Sequence, residues 1–518
     1  MDIPEIFADV TRLPGVLPIW HGVVDAAGWQ ASAAAVAQAG GRLVAVWGSG
    51  GGEPLRPTVC CAYAVARGLV WLELPLVPDD PQYPDLAPAF PAASRMQRAA
   101  QDLCGVRAAF ATDTRPWLNH GGWPAGAVPL RYPGRASTPV DGAPVNDYAF
   151  VRVEGDGVHE IPVGPVHAGI IEPGHFRFSV VGEKVLRLEQ RLGYTHKGTE
   201  QRFTQLPPLQ GHRLAGRVSG DSTVAYAWAW CMALESAAHC EVPPRAQWLR
   251  ALMLERERVA NHLGDLGAVG NDAGLGIALA QFSRLKEDWL RLSNDLFGHR
   301  FMMDCVLPGG VAGDLGAAAL DRLLTQCTAI EREVNDLRSM FDEHAGLQDR
   351  FAGAGRVGAD LAARLGLTGL AARASGLQRD LRCDQPWPPY DALAVQVASQ
   401  SRGDVAARVA VRFDEVFESL RLLRAIALGL PAGPFATEVL LQPGPAIGAG
   451  WVEGWRGEVL VALELEWQDG AARVRRCHCH DPSWQNWPVL EHAVIGNIVP
   501  DFPLINKSFN LSYSGHDL

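Results

Sequence analysis

The sequence predicts an α+β protein in which a small N-terminal α/β domain precedes a β-hairpin and a bundle of long helices. Three observations carry that expectation. A chain of 518 residues is too long for one core, and the usual domain size of roughly 100–200 residues implies two or three domains. The stretch "YPGRASTPVDGAPVND" at 132–147, rich in Pro, Gly and small polar residues, reads as a linker. It divides the chain into 1–133, a linker at 134–147, and 148–518. Between 225 and 430, five long segments repeat apolar residues at helical spacing.

In the first domain, "AAGWQASAAAVAQAGG" predicts a helix, "RLVAVWG" and "TVCCAYAVARGLVWLELPL" predict strands, and "SRMQRAAQDLCGV" predicts a second helix. After the linker, "GHFRFSVVGEKVLRLEQRLGY" alternates apolar and polar residues about a Gly turn and predicts a β-hairpin. The five helical segments follow, each expected to bury one face. "GEVLVALELEWQDGAARVRRCHCHD" predicts two strands joined by an Asp-Gly turn, and the remaining C-terminal text reads as loop.

Composition narrows the function. Apolar residues make up 48% and charged residues 20%, with a mean hydropathy of zero, which is ordinary globular chemistry. The net charge of −11 excludes a basic nucleic-acid footprint, so no nucleic-acid partner is expected. The longest apolar run, Val224 to Leu234, is about half the ~20 residues that span a bilayer. The N-terminus "MDIPEIFADVTRLPG" lacks the basic start and apolar core of an export signal, which implies the cytoplasm. Ten scattered cysteines with no Cys-x-x-Cys pair are expected to be buried thiols.

The segments "GPVHAGIIEPGHFRF" (164–178), "RLGYTHKGTEQRF" (191–203), "MLERERVANHLGDLG", "SRGDVAARVAVRFDEVFESL", "DPSWQNWPVL" and "NIVPDFPLINKSFNLSYSGHDL" resemble one family. It is the large subunit of membrane-bound, energy-converting nickel–iron hydrogenases of the formate-hydrogenlyase type, whose fold also serves as the quinone-site subunit of complex I. The resemblance covers about 148–518. "YPDLAPAFPAASRMQRAAQDLCGV" and "DTRPWLNHGGWP" are similar to the small complex I partner subunit that such hydrogenases carry fused at the N-terminus.

In that family two Cys-x-x-Cys pairs hold nickel and iron, since soft thiolates suit both metals. By resemblance, the early pair follows Arg217 and falls on Ser219 and Ser222, with Gly220 between them. The late pair falls on Ser512 and Gly515 in "NLSYSG". A serine hydroxyl stays protonated near neutral pH and is a poor ligand for a soft metal, so no metal centre and no intrinsic cofactor are expected. The chain stops at Leu518, which leaves no tail for the clipping that follows metal insertion in the family. The resemblance to complex I makes quinone the candidate cofactor of the vacated cavity, lined by Arg217, Ser219, Gly220, Ser222, Ser512 and Gly515. Gly220 stands where complex I carries a tyrosine.

His167, Glu172 and His175 lie on a Gly- and Pro-rich loop expected to face that cavity, where histidine relays protons near neutral pH; the alternative is that they tie down the loop. Glu200 matches the family's proton-passing glutamate, or else is a surface carboxylate paired with Lys197 or Arg202. Glu255, Arg258 and His262, spaced three and four apart, share a helix face, either as a buried ion-pair stripe or as a proton track that Asp221 and Asp272 extend. "CHCH" at 477–480 is not expected to bind metal, because strand alternation sends the cysteines and histidines to opposite faces. The resemblance further implies a small iron–sulfur subunit and antiporter-like membrane subunits as partners. It implies a peripheral position on the cytoplasmic side of the membrane and a redox role coupled to ion translocation, with a non-catalytic structural or coupling role as the alternative.

Overall fold

The structure is a computed structural model that describes residues 7, 9–51, 56–124, 126–131, 148–169 and 171–518; the linker expected at 134–147 lies outside them. Near the N-terminus, strands β1 (Val10–Arg12), β2 (Ile19–Val23), β3 (Arg42–Gly51), β4 (Arg56–Val65) and β5 (Gly68–Pro75) form one sheet in the order β1-β2-β5-β4-β3. Helix α1 (Ala26–Gln38) carries the chain from β2 to β3 at the far edge of the sheet, β2 and β5 pair in parallel, and Asp25 caps the first turn of α1 through Gly28 N. Helix α2 (Ala93–Cys104) packs on β3, and a ribbon of β6 (Gln82–Pro84) with β7 (Arg107–Ala109) flanks it.

The second half opens with a sheet of β8 (Val158–Val163), β9 (His175–Val181) and β10 (Lys184–Arg191), which adds one strand to the expected hairpin. Short helices α3 (Thr199–Phe203) and α4 (Gly211–Ala215) lead to the long ones: α5 (Thr223–Ala237), α6 (Pro244–Asp272) and α7 (Gly276–Phe297). A small ribbon, β11 (Val306–Leu307) with β12 (Gly310–Val311), precedes α8 (Ala317–Glu343). Five short helices follow: α9 (Ala345–Phe351), α10 (Ala359–Arg364), α11 (Gly369–Ala374), α12 (Leu381–Asp384) and α13 (Tyr390–Leu393). Helix α14 (Val405–Gly429) completes the bundle. Strands β13 (Ala446–Glu453), β14 (Glu458–Gln468) and β15 (Ala471–His480) make an antiparallel sheet, with Asp469 and Gly470 as the β14–β15 turn.

Two expectations need correction. Helix α5 has no exposed face: every residue from Thr223 to Ala237 is buried, because α5 is sandwiched between the β13–β14 sheet and the other helices. The C-terminal text is not loop but three helices, α15 (Ser483–Ala493), α16 (Phe502–Phe509) and α17 (Tyr513–Asp517), which bring residues 512–517 back against the start of the bundle.

The two halves share one apolar core that includes Trp47 and Trp117 from the first and Trp484 and Trp487 from the second. Polar ties cross the same boundary. Arg476 Nε donates to Gly48 O at 2.9 Å, Arg95 pairs with Glu491 at 2.6 Å, and Arg42 pairs with Glu458.

Candidate functional site

Ser219 and Ser222 flank the single turn that starts α5, and Ser512 caps α17, so the fold does bring the four vacated positions together. The Ser219 and Ser512 oxygens are 2.9 Å apart. Ser219 Oγ donates to Asp221 Oδ1 at 2.7 Å, and Ser512 Oγ accepts from Gly515 N at 2.8 Å. Each hydroxyl carries one proton. Ser219 uses its proton on Asp221, so the Ser512 hydroxyl is the donor between the two serines.

Residues that the sequence did not single out fill the rest of the space. Arg456 pairs with Asp221 at 2.6 Å, donates to Asn510 O at 2.6 Å and reaches Ser222 Oγ at 3.4 Å. Burial pushes the Asp221 carboxyl up, but the Arg456 guanidinium more than offsets this and holds it below the usual carboxylate range. Asp481 lies on the Gly515 side, accepting from Tyr226 Oη at 2.8 Å and Ser483 N at 2.8 Å. A Cβ on Gly515 would stand 2.3 Å from Asp481 Oδ2, so no side chain fits there while that carboxylate is in place.

Four thiolates around a nickel–iron pair need open space between them, whereas two serine oxygens here are in hydrogen-bond contact and an aspartate occupies the fourth position. The residues present do not fit a nickel–iron centre.

Beside the serines, Glu257 on α6 accepts from Val224 N at 2.6 Å and Ala225 N at 3.2 Å, capping α5 from outside its own helix. Burial pushes its carboxyl up to about 8, with the nearby Asp221 charge adding to the effect. Glu255, Arg258 and His262 form the expected stripe and are fully buried. Glu255 meets Arg382 at 3.0 Å, Tyr390 Oη at 2.7 Å and Ser419 Oγ at 2.6 Å, while Arg258 and His262 both reach Glu415 Oε2, at 3.5 and 2.7 Å. Arg373 continues the network to Glu415 and to Glu453, whose carboxyl burial pushes up to about 7. Asp221 joins the serines through Ser219. Asp272, at the end of α6, is exposed.

The hairpin residues separate. Glu172 accepts from Ser514 N at 3.0 Å and so touches the C-terminal helix beside Ser512. His167 Nε2 lies 2.7 Å from Gly174 O and ties the loop to itself, as the second of the two expectations had it. His175, the first residue of β9, rests on Gly164 O at 3.2 Å and lines a different space. This is a cleft of about 470 Å³ shared with His120, Tyr148, Arg177, Arg191 and Tyr194. Burial holds His175 below the usual imidazole range.

Glu200 is no surface carboxylate. It is 4% exposed and bonds to neither Lys197 nor Arg202; Arg476 lies at 3.0 Å and His478 Nδ1 at 2.7 Å. Burial opposes its charge, yet Arg476 and then His478 bring the carboxyl down to about 2. Its hydrogen bonds run to β15 and none to the serines. Arg217 points outward to Asp304 at 2.6 Å, and Gly220 is exposed with nothing within 4 Å of a Cβ, so neither lines the serine cluster. In "CHCH", Cys477 and Cys479 face each other at 3.8 Å, while His478 stacks on Trp47 and His480 meets Gln485 at 3.0 Å. Strand alternation separates them as expected.

Arg456, Asp481, Glu257 and Tyr226 escaped sequence reasoning. The polar side chains in "WRGE" and "HDPSW" were the available signal, but Asp221 and Tyr226, the partners of Arg456 and Asp481, lie 235 and 255 residues away in the chain.

A three-stranded sheet leading into a buried-charge helical bundle, closed by the chain's own C-terminal helix over four converging positions, defines a hydrogenase large subunit of the complex I type, joined to its small partner module. Comparison with known proteins agrees. Residues 23–140 match the respiratory-chain NADH dehydrogenase 30 Kd subunit, and 272–445 match the 49 Kd subunit of the same enzyme. Formate hydrogenlyase subunit 5 of Escherichia coli (strain K12) is 31% identical over 446 residues, 84% of this chain and 77% of that protein. The carbon monoxide-induced hydrogenase of Rhodospirillum rubrum is 31% identical over 357 residues, 68% and 97% of the two chains. A chain of the membrane-bound sulfane sulfur reductase, an archaeal respiratory membrane complex, superposes with a TM-score of 0.65 at 25% identity, covering 70% of this chain and 99% of that one. The chain therefore belongs to the family of large subunits of energy-converting hydrogenases and complex I-like complexes, in the form that fuses the 30 Kd and 49 Kd modules.

Proposed function

We propose that this chain is the large peripheral subunit of a membrane-associated, complex I-like redox complex that couples electron transfer to ion translocation without a nickel–iron centre. The observation that carries this reading is the 2.9 Å contact between Ser219 and Ser512, reinforced by Asp481 against Gly515. By analogy with its relatives, a small iron–sulfur subunit delivers electrons and antiporter-like subunits lie in the membrane. No helix among the described residues is long and apolar enough to cross a membrane, which suits a peripheral position, and the family resemblance puts that position on the cytoplasmic side. Glu257 and Glu453, with carboxyls raised to about 8 and about 7, supply buried groups that change charge near neutral pH, as proton coupling requires.

Quinone, or another small acceptor, finds no room between the contacting serines. The His175 cleft, walled by Tyr148, Phe150 and Tyr194, offers aromatic surface and a histidine that would hold it, and a quinone there would supply two-electron acceptance. The closure of the serine cluster equally favours a second reading, a non-catalytic coupling subunit.

The test is metal and quinone analysis of the purified native complex. No stoichiometric nickel, together with co-purified quinone and acceptor reduction impaired by His175→Gln but not by Cys240→Ser, supports the redox reading. Absence of quinone with His175→Gln fully active supports the coupling reading. Stoichiometric nickel in this subunit overturns both. Gly515→Cys is expected to lower stability without recovering nickel.

A further inference from the structure

Away from the serines, at the seam between the two halves, a thiol and two carboxylates meet. Cys60 on β4 and Glu73 on β5 stand directly opposite each other in the antiparallel ladder, which places both side chains on one face of the N-terminal sheet. Glu464 on β14 comes to the same face from the second half of the chain. One ligand atom from each residue lies within 4.8 Å of the others.

Cys60 and Glu464 are 0% and 1% exposed. Glu464 Oε2 is occupied, accepting from Ser49 Oγ at 3.2 Å and from Arg475, whereas Glu464 Oε1 is buried with no hydrogen-bond partner. A buried carboxylate oxygen without a donor is costly, and a cation is the group that would satisfy it. Glu73 keeps one side towards His21, whose Nε2 is 3.1 Å from Glu73 Oε1, and both are partly exposed, which gives an ion a route in. The indoles of Trp47 and Trp71 pack close by, tilted at 52° with a centroid separation of 5.6 Å. Burial, then Glu73 and Glu464, push the Cys60 thiol up, so the metal-free thiol keeps its proton, which a divalent ion would displace.

We propose that Cys60, Glu73 and Glu464 form a structural site for a divalent transition-metal ion of the zinc class, which ties the N-terminal sheet to the β13–β15 sheet. The donor set decides the ion. A thiolate disfavours calcium and magnesium, while one sulfur with two carboxylate oxygens suits zinc, with water as the fourth ligand. The ion bridges the two halves of the fold and is remote in chemistry from the redox function proposed above.

The test uses the purified full-length chain, or the complex containing it, stripped with chelator and titrated with Co²⁺ and Zn²⁺. The expected result is one Co²⁺ per chain with a sulfur-to-cobalt charge-transfer band, displaced by Zn²⁺. Cys60→Ser should abolish that band, Glu464→Gln should weaken binding at least tenfold, and Cys240→Ser should leave both unchanged. Zinc should raise the melting temperature of the wild type and not of Glu464→Gln. A missing band, a band that survives Cys60→Ser, or wild-type affinity in Glu464→Gln overturns the proposal. Glu464→Gln keeps the side chain's shape, so it reads the site even if Cys60→Ser fails to fold.

Discussion

Glu257 and Glu200 are both buried carboxyl groups, and their surroundings give them opposite pH signatures. Glu257 is raised to about 8 by burial, so between the ordinary carboxylate range of about 4–5 and pH 8 the folded chain holds a proton that the unfolded chain has lost. Stability should fall as pH rises through that window and then level off. Glu257→Gln, which keeps an acceptor for Val224 N, should remove the decline; denaturant melts from pH 5 to 9 measure it, and an unchanged slope would refute it. Glu200 is lowered to about 2 by Arg476 and His478, so its contribution is complete above about pH 5 and is lost as pH falls towards 2. Glu200→Ala leaves Arg476 buried without its partner and should cost about 3–5 kcal/mol at neutral pH, with a flattened acid limb. At this scale the sequence showed the Glu255–Arg258–His262 stripe because the residues share one helix face. It did not show Glu200 bound to β15, because that pairing spans 276 positions in the chain.

Among the elements, α5 and β13 explain each other. Gly448 and Gly450 let β13 approach so closely that a Cβ would stand 2.1 and 2.0 Å from the Ala233 and Ala229 carbonyl oxygens of α5. Gly450→Ala should therefore destabilise by about 1–3 kcal/mol or more through overpacking, whereas Gly276→Ala, with nothing within 4 Å, should not. Thermal melts of the two variants decide it, and equal melting temperatures would count against the close approach. Those glycines also hid β13 from the sequence, since they dilute the alternation by which strands are recognised. The C-terminal helices were hidden by local chemistry too: α15 contains Pro488, and α16 follows Pro500 and carries Pro503 in its first turn, residues that read as loop until packing holds them.

Over the whole molecule, the two halves behave as one cooperative body because their apolar core and ion pairs are continuous. Calorimetry of the full chain should give a single transition. Trp47→Ala, which removes an indole stacked on His478 at 4.6 Å, should shift that transition as a unit by about 3–5 kcal/mol; two separately moving transitions would contradict this. By itself the sequence determined the α+β class and the long helices, because periodicity and residue type are local properties, and its family resemblance marked Ser219, Ser222, Ser512 and Gly515 as positions without thiolates. Only the tertiary structure decided what replaced the thiolates. Arg456 and Asp481 come from elements far along the chain, and whether a vacated cavity stays open or closes depends on which side chains the fold delivers to it.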